Sequence, residues 1–574
     1  MDTEETRVET PAAGHRQWTA LAATAVAVLG GLALWLGRTP ELALREQLLR
    51  WQFWALEVLF LAVVATTVLA LPALVRALAL GRRTLVQLAA IVVLGLGLAA
   101  FVAPRTNRIF YDEQIYQGIG QNLTDLKLAQ MCNDGTVEYG RLQCWRGEYN
   151  KQPYGYPYLL SVAYRLVGVH DGVAQVVNNV AMGLFALAVF AAAALLFAST
   201  EAGLLAALVA VSIPHHLLWS NTAACEPTAA LFAAIAVVAA VSFVRERSSA
   251  ALAWCVATTA FAAQFRTESL LIVVVVAVIV LLFATDELRR PRLWWAALAG
   301  LLLCAALLGH LAAVRGESWG STGTKLSLAF LRPNLAVNGG FFLVNQRFPA
   351  LATLLALVAL AGRPRRREAL ATVVWFVAFF AAYLLFYAGS FDFGADVRFS
   401  LLLSAPIAVL AGRGAATVVG WLRQVEALRP WAGKAVVATL AVSLLSFMPL
   451  VRAVGEEAWG ARADVAYARE IVRELPPNSV ILTHNPHMFH LWGVSAAQAS
   501  LATTDEPWAR GVLPRRYAGG VYFHFNFWCN VDDPLQVSFC TNLLDRFANT
   551  LVSERHVRDS RFALFKLDLP THRF

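Results

Sequence analysis

The chain is 574 residues long, 58% hydrophobic and only 15% charged, with a mean hydropathy of +0.57. A soluble protein of that length has no interior large enough for so much apolar surface, so a bilayer is part of its solvent. The formal net charge of +9 does not mark a nucleic-acid surface, because the arginines stand in short clusters between apolar runs, as in cytoplasmic loops.

Residues 1–17 are polar, and the apolar run behind them lacks a small-residue cleavage site, so the first helix reads as an anchor. A span needs about 20 mostly apolar residues. That ruler places spans at 18–37, 52–79, 85–103, 172–197, 201–219, 227–245, 249–265, 269–285, 293–313, 347–362, 369–388, 399–415 and 434–453. The expected fold is therefore a polytopic α-helical membrane protein with about 13 transmembrane helices and a C-terminal extracytoplasmic α/β domain. Residues 1–84 form a tail and two extra helices, 85–453 the main membrane domain, and 454–574 the C-terminal domain.

Arg82 and Arg83, Arg245 and Arg247, "RRPR" (289–292), "RPRRR" (363–367) and Arg413 with Arg423 occupy alternate gaps. The loops "SNTAACE" (220–226) and "SFDFGADV" (390–397) contain neither Lys nor Arg. Basic loops stay inside, so the N-terminus is expected in the cytoplasm and, with an odd span count, the C-terminus outside. Residues 104–171, 220–226, 314–346 and everything after about 454 then share the outer face. Cys132 with Cys144, and Cys529 with Cys540, each close a short outer loop and are expected to be disulfides. Cys225, Cys255 and Cys304 lie in or beside helices as packing residues.

Ionisable groups are expensive inside a membrane, so their positions carry information. The helix centres are nearly clean, and the charges gather at outer ends. "FYDEQIYQGIGQNL" (110–123) sets Asp112 and Glu113 side by side, flanked by Tyr111 and Tyr116. Glu226 opens a helix in "CEPTAALFA", Arg266 and Glu268 stand in "FRTESLLI", and Asp392, Asp396 and Arg398 stand in "SFDFGADVRFS". Each has a bland reading. Glu226 suits a helix N-terminus ahead of Pro227, Arg266 and Glu268 can pair with each other, Arg398 can reach lipid head groups, and Asp112–Glu113 can be a solvated helix start. Their common side favours one shared polar cavity. "NKQPYGYPYLLSVAYRLVG" (150–168) reads as an amphipathic surface helix, with Tyr154 and Tyr156 at the interface and Lys151, one of only five lysines, at its start.

These motifs resemble the GT-C fold glycosyltransferases that use polyprenyl-phosphate sugars, the family 39 type that includes protein O-mannosyltransferases and the lipid A aminoarabinose transferase. "YDEQIYQ" is similar to the acidic pair of the first catalytic outer loop (104–171), and "KQPYGYPYLL" to its Lys/Pro element. "NTAACEPTAALF" is similar to the second-loop acid, "FRTESLLI" to the arginine-bearing junction, and "DVRFSLLLSAP" to the late Arg-aromatic motif, with Phe399 where tyrosine is common. The resemblance covers roughly residues 85–453.

It implies a multi-pass enzyme of a bacterial-type inner (plasma) membrane. Such an enzyme moves a sugar from an undecaprenyl- or decaprenyl-type phosphate donor to an acceptor glycan, lipid or protein on the extracytoplasmic face, with inversion. The catalytic acids are then Asp112, as general base, with Glu113 and Glu226. Lys151, Arg398 and Arg266 hold the donor phosphate, and Tyr111, Tyr154, Tyr156, Glu268 and Asp396 position sugar or acceptor. Membrane lipid is a partner and nucleic acid is not. The rival reading is a transporter of polyprenyl-linked lipid or a small molecule, which the clean helix centres and lack of repeated halves disfavour.

No cofactor is firmly expected; a divalent metal is possible but not predicted. His215–His216 in "IPHHLLWSN" diverge around their helix, and His484, His487 and His490 in "THNPHMFHLWG" have neither cysteine nor acid at ligand spacing. In the C-terminal segment "ADVAYAREIVREL" has helical spacing, while "SVILT", "GGVYFHFNFW" and "RFALFKLDL" read as strands.

Overall fold

A computed structural model of the chain describes residues 11–318, 320–321, 323–344, 347–361, 365–392 and 395–569. Among these, seven helices are long and apolar enough to cross a membrane: Arg16–Arg38, Glu41–Leu78, Arg82–Val102, Val173–Phe197, Glu226–Glu246, Arg366–Leu385 and Val397–Gln424. An eighth is added if Pro291–Leu303 and Ala305–Ala313, bent by 44°, are one span. The expectation of about thirteen spans is corrected to this number.

The remaining five runs form shorter helices: Thr200–Ala210, Ser249–Ala262, Thr267–Phe283, Ala350–Ala361 and Ala432–Ser446. At 1.5 Å per residue even the longest falls short of a hydrocarbon core about 30 Å thick. Hydropathy counts apolar residues and does not see where a helix stops. The 201–219 run breaks before Pro214, which starts a separate helix, Pro214–Trp219. The 434–453 run breaks at Phe447, before the short helix Met448–Arg452. The odd-number argument for opposite sides of the two termini lapses with the count.

Helices Val173–Phe197, Glu226–Glu246 and Val397–Gln424 are 78%, 89% and 78% buried over their apolar windows, against 6–17% for the first three helices. The first group is the packed centre, and the second offers its surface to lipid. The two ends of Glu226–Glu246 differ in chemistry. At its C-terminal end Arg247 pairs with Asp286, and Arg290 and Arg292 close on the buried Glu287. Glu226 stands at the other end, about 30 Å away for a helix of this length.

The helix expected within 150–168 is present as Gly155–Val167, with Pro157 in its first turn. Its tyrosines are not at an interface, however. Tyr154, Tyr156 and Tyr158 are all fully buried.

The extramembrane part is organised by one seven-stranded sheet. Its strands are β1 (Met131–Glu138), β2 (Arg141–Glu148), β3 (Ser479–Thr483), β4 (Ser495–Gln498), β5 (Gly520–Phe525), β6 (Ala548–Val557) and β7 (Ser560–Asp568). The order is β2-β1-β4-β3-β5-β7-β6. The centre, β4-β3-β5, is parallel, and an antiparallel hairpin flanks each side. The β1–β2 hairpin lies within residues 104–171, so the sheet is assembled from that segment and the C-terminal one, with Asp134 opposite Ala497 and Gly135 opposite Ala496.

Cys132–Cys144 and Cys529–Cys540 are disulfides, and Cys225, Cys255 and Cys304 are buried thiols. Thiol titration of the denatured, unreduced protein should count three groups. Reduction should lower stability by roughly 2–4 kcal/mol per bridge, read as a fall in denaturation midpoint.

A candidate active site where four segments converge

The helix Asp112–Asp125 starts from a tight reversal in which the Asp112 N–H donates to the Ile109 carbonyl at 3.0 Å. Phe110 sits in that reversal with φ +30°, in the left-handed half of backbone space that a bulky residue avoids unless its surroundings hold it there. The surroundings are residues of the C-terminal segment. The Phe110 ring stacks on Phe527 with centroids 5.8 Å apart and leans on Trp528. The Tyr111 hydroxyl donates to Asp464 at 2.5 Å, and the second Asp464 oxygen meets His524 Nε2 at 3.0 Å, both fully buried. Buried Arg108 donates to the carbonyls of Ala453 (2.5 Å) and Val454 (2.9 Å) and to Glu457 (2.6 Å).

Glu113 turns into the protein. Its carboxylate accepts from the backbone N–H groups of Arg108 (2.5 Å), Ile109 (3.1 Å) and Ala223 (2.7 Å), fastening the reversal to the 220–226 loop. Burial pushes its carboxyl up to about 7 against the pull of those donors. Asn178 holds the same loop by donating to the carbonyls of Thr222 and Ala224, both at 2.8 Å, and Asn221 donates to Ala103 at 2.7 Å.

Asp112 faces the other way, into the convergence of charges. Arg398 Nη1 is 3.9 Å from its Oδ2, and Arg398 Nε is 3.1 Å from Glu226 Oε1. The same Glu226 oxygen accepts from Arg266, whose Nε is paired with Glu268. The Tyr383 hydroxyl completes the chain by donating to Glu268 at 3.0 Å. Phe399 lies under both guanidiniums, 4.8 Å from Arg266 and 5.4 Å from Arg398, and stacks on Tyr383 at 5.0 Å. The charged segments are widely separated in sequence, and Glu226 is fully buried between its two arginines.

The Asp112 side chain keeps 44% of its surface accessible although protein surrounds it, the signature of a carboxylate on a solvent-reachable hollow. That enclosure raises its carboxyl above the usual aspartate range. Arg398, Lys151 and Arg266 pull in the opposite direction, and Glu226 adds to the rise. Lys151 is exposed and acts on Asp112 through its charge. Gly155 brings the Lys151 segment against the Arg266 segment: its N–H donates to the Gln264 carbonyl at 2.8 Å, and a Cβ there would sit 2.6 Å from that oxygen.

The structure thus brings together Asp112, Glu226, Arg266, Glu268 and Arg398, with Lys151 near them. Tyr111 points to the C-terminal segment instead. Tyr154 packs on Tyr149 and His310. Tyr156 lies edge-on to Tyr116, whose hydroxyl feels the charges of Asp112, Glu226 and Arg398. Asp392 leaves the cluster to pair with Arg347 at 2.7 Å, and the side chain of Asp396 is outside the described residues, as are residues 363 and 364 of the basic "RPRRR" loop. Tyr116 was noted beside the two acids without a role, and Tyr383 was not singled out from sequence; a lone tyrosine near the end of an apolar run carries no pattern.

The histidines are packing groups. His216 stacks on Phe185 at 4.1 Å and His215 is edge-on to Phe341 at 5.0 Å. Burial lowers His487 to about 3 and His490 to about 4, leaving both neutral. One grouping among the described residues has metal-ligand proximity, His484 with Cys529 and Cys540, but its two sulfurs are joined in a disulfide.

Residues 151–310 match the sequence profile of the family described as dolichyl-phosphate-mannose-protein mannosyltransferase. No curated protein matches the chain. Among solved structures, ArnT from Cupriavidus metallidurans bound to undecaprenyl phosphate is similar at 15% identity and a TM-score of 0.54, covering 83% of this chain and 97% of that one. The apo state of the same protein gives 16% identity and 0.53 over the same shares. Archaeal oligosaccharyltransferase AglB from Archaeoglobus fulgidus follows at 13% identity and 0.49, covering 86% and 75%. The chain is a multi-pass membrane protein with the GT-C fold, the architecture it shares with ArnT.

Proposed function

We propose that this protein is a membrane glycosyltransferase that moves a sugar from a polyprenyl-phosphate donor to an acceptor hydroxyl or amine at the extracytoplasmic surface. The observation that carries the reading is an accessible Asp112 set 3.9 Å from Arg398, whose guanidinium shares a Glu226 oxygen with Arg266. A lipid-phosphate sugar already contains its leaving group. Transfer then needs a base for the acceptor's proton and cations for the departing phosphate, both at the depth where the lipid tail leaves its head group.

In this reading Asp112 is the base. Its raised carboxyl pKa makes it a stronger proton acceptor than an ordinary aspartate once ionised. Arg398, 3.9 Å from Asp112, and exposed Lys151 are the cations for the phosphate oxygens. Glu226 keeps Arg266 and Arg398 side by side by neutralising their repulsion. Glu113 acts on its neighbour through the backbone, by fixing the reversal that presents Asp112. Attack from the side opposite the phosphate inverts the anomeric carbon. The extracytoplasmic assignment is supported by two disulfides in the extramembrane part and by the arginine cluster at the far end of the Glu226–Glu246 helix. The related fold of ArnT, whose solved complex holds undecaprenyl phosphate, supports the donor class.

Asp112→Asn should lower sugar transfer about 10²–10⁴-fold while leaving donor binding and the melting temperature unchanged. A variant that still transfers at the wild-type rate overturns Asp112 as base. Glu113→Gln should do the reverse in stability: an amide N–H₂ would face the Ala223 N–H, costing roughly 1–3 kcal/mol.

The Glu113 carboxyl titrates at about 7 in the fold against 4.5 for an ordinary glutamate. The folded state therefore takes the proton first, and this group's stabilising contribution fades as pH rises through that window. The Gln variant should lose that slope in pH-dependent melting. The wild-type rate should rise with pH through an apparent pKa above the ordinary aspartate value of 3.8, since the base works only when ionised. A rate flat from pH 4 to 7 contradicts this assignment.

A further inference from the structure

A second cavity lies behind the acid helix. At about 100° per residue, Gln114 and Gln117 stand roughly opposite Asp112 on the helix Asp112–Asp125. They open into a space of about 440 Å³ whose other walls are the helix Trp459–Val472, the short helix Pro486–Leu491 and the start of the helix Val173–Phe197. This volume suits one or two sugar rings. It is separate from the Asp112 hollow, since none of Asp112, Glu226, Arg266 or Arg398 lines it.

Three features of its lining point to one ligand chemistry. The side-chain oxygens of Gln114 and Gln117 are buried without a hydrogen-bond partner, and the two residues are only 4% and 2% exposed. An unpaired buried amide oxygen costs free energy that a hydroxyl donor recovers. The opposite wall is apolar, with Val465, Met488, Leu491 and the Trp492 ring, a surface for the C–H face of a pyranose. The charge is positive: Arg105, Arg462 and Arg469 line the space against one acid, Asp171, which is paired with Arg469 and accepts from Trp492 Nε1. Arg105 donates to the Gly172 carbonyl and Arg462 to those of Asn107, Glu457 and Gly455, while the Glu457 and Glu456 carboxylates, which do not line the cavity, offset part of the Arg462 charge. Gly172 also caps the helix Val173–Phe197, whose N-terminal end adds to the positive potential.

We propose that this cavity binds an acidic saccharide, one or two rings carrying a carboxylate or phosphate, and that it holds a part of the acceptor remote from the atom that receives the sugar. The word acceptor rests on the transferase reading; the saccharide site does not. The Gln114 and Gln117 amides, whose oxygens are sealed from solvent and unpaired, turn into the space to take ring hydroxyls, the apolar wall takes the ring face, and the arginines take the acid. Two helix faces then divide the work, with transfer in front and recognition behind.

The test is calorimetric titration of the full-length protein in lipid nanodiscs. The probes are a glucuronate-containing disaccharide, glucose 6-phosphate, the neutral disaccharide cellobiose and inorganic phosphate. One of the two acidic sugars should bind at least about tenfold more tightly than cellobiose and than phosphate alone. Ala466→Trp, at an exposed position on the cavity rim, should abolish that binding without removing any bond. Arg105→Gln should weaken the acidic sugar and leave cellobiose unchanged.

Cellobiose binding as tightly as the acids overturns the charge assignment. Phosphate alone matching the sugars, binding surviving in Ala466→Trp, or no sugar binding at all each overturns the site. Release of labelled sugar from a polyprenyl-phosphate donor to water, followed in parallel, should be equal in wild type and Ala466→Trp. If wild type releases none, the transferase reading fails while the titrations still decide the saccharide site.

Discussion

A carboxylate with no solvent and two arginines against one of its oxygens is the constraint on which the membrane part depends. Glu226 is fully buried at the start of its helix, and Arg266 and Arg398 reach the same one of its oxygens from two other segments. Removing one member of such a set leaves an uncompensated charge in a low-dielectric interior, a loss of about 3–5 kcal/mol. Three chain segments are therefore obliged to meet at one point. Phe399 supplies the floor on which both guanidiniums lie, and Glu268 pairs with Arg266 Nε while accepting from the Tyr383 hydroxyl. Asp112 joins this set from outside, at 3.9 Å and with water access. It is the member whose charge can change without dismantling the others.

What was legible in the sequence follows from the same economy of charge. Ionisable residues are so scarce near apolar runs that Asp112, Glu226, Arg266, Glu268 and Arg398 stood out individually, and the fold brings them together. The strands in "SVILT", "GGVYFHFNFW" and "RFALFKLDL" showed their apolar alternation and became β3, β5 and β7. The span count was over-read because composition conceals breaks. Pro214 ends one run, a 3₁₀ turn at Thr267–Leu271 opens another, and Phe447 stops a third. The β1–β2 hairpin escaped notice because "MCNDGTVE" and "RLQCWRGE" do not alternate as strands with one apolar face do. Tyr154 and Tyr156 look like interfacial residues to any composition rule, yet tertiary packing buries them completely.

Between the two sites runs one helix of 14 residues, Asp112–Asp125, and its placement is fixed from both ends. At its start, Glu113 ties the reversal to Ala223, and Phe110, in an unfavourable backbone region, is wedged against Phe527 and Trp528. Past its end the chain enters β1 within a few residues, and β1 pairs with β4. The Tyr111–Asp464–His524 chain adds a fully desolvated tether immediately beside Asp112.

A domain attached in this way is not a lid. Lifting it from the membrane part would strip β4 from β1, expose the Asp464 carboxylate with its two partners, release Arg108 from Ala453 and Val454, and free Phe110 to leave its strained conformation. Each of those losses lies on the path that sets Asp112 against Arg398. The C-terminal segment is thus part of the frame that aims the Asp112 carboxylate. A ligand seated between that segment and the back of the acid helix touches the same frame from the opposite side.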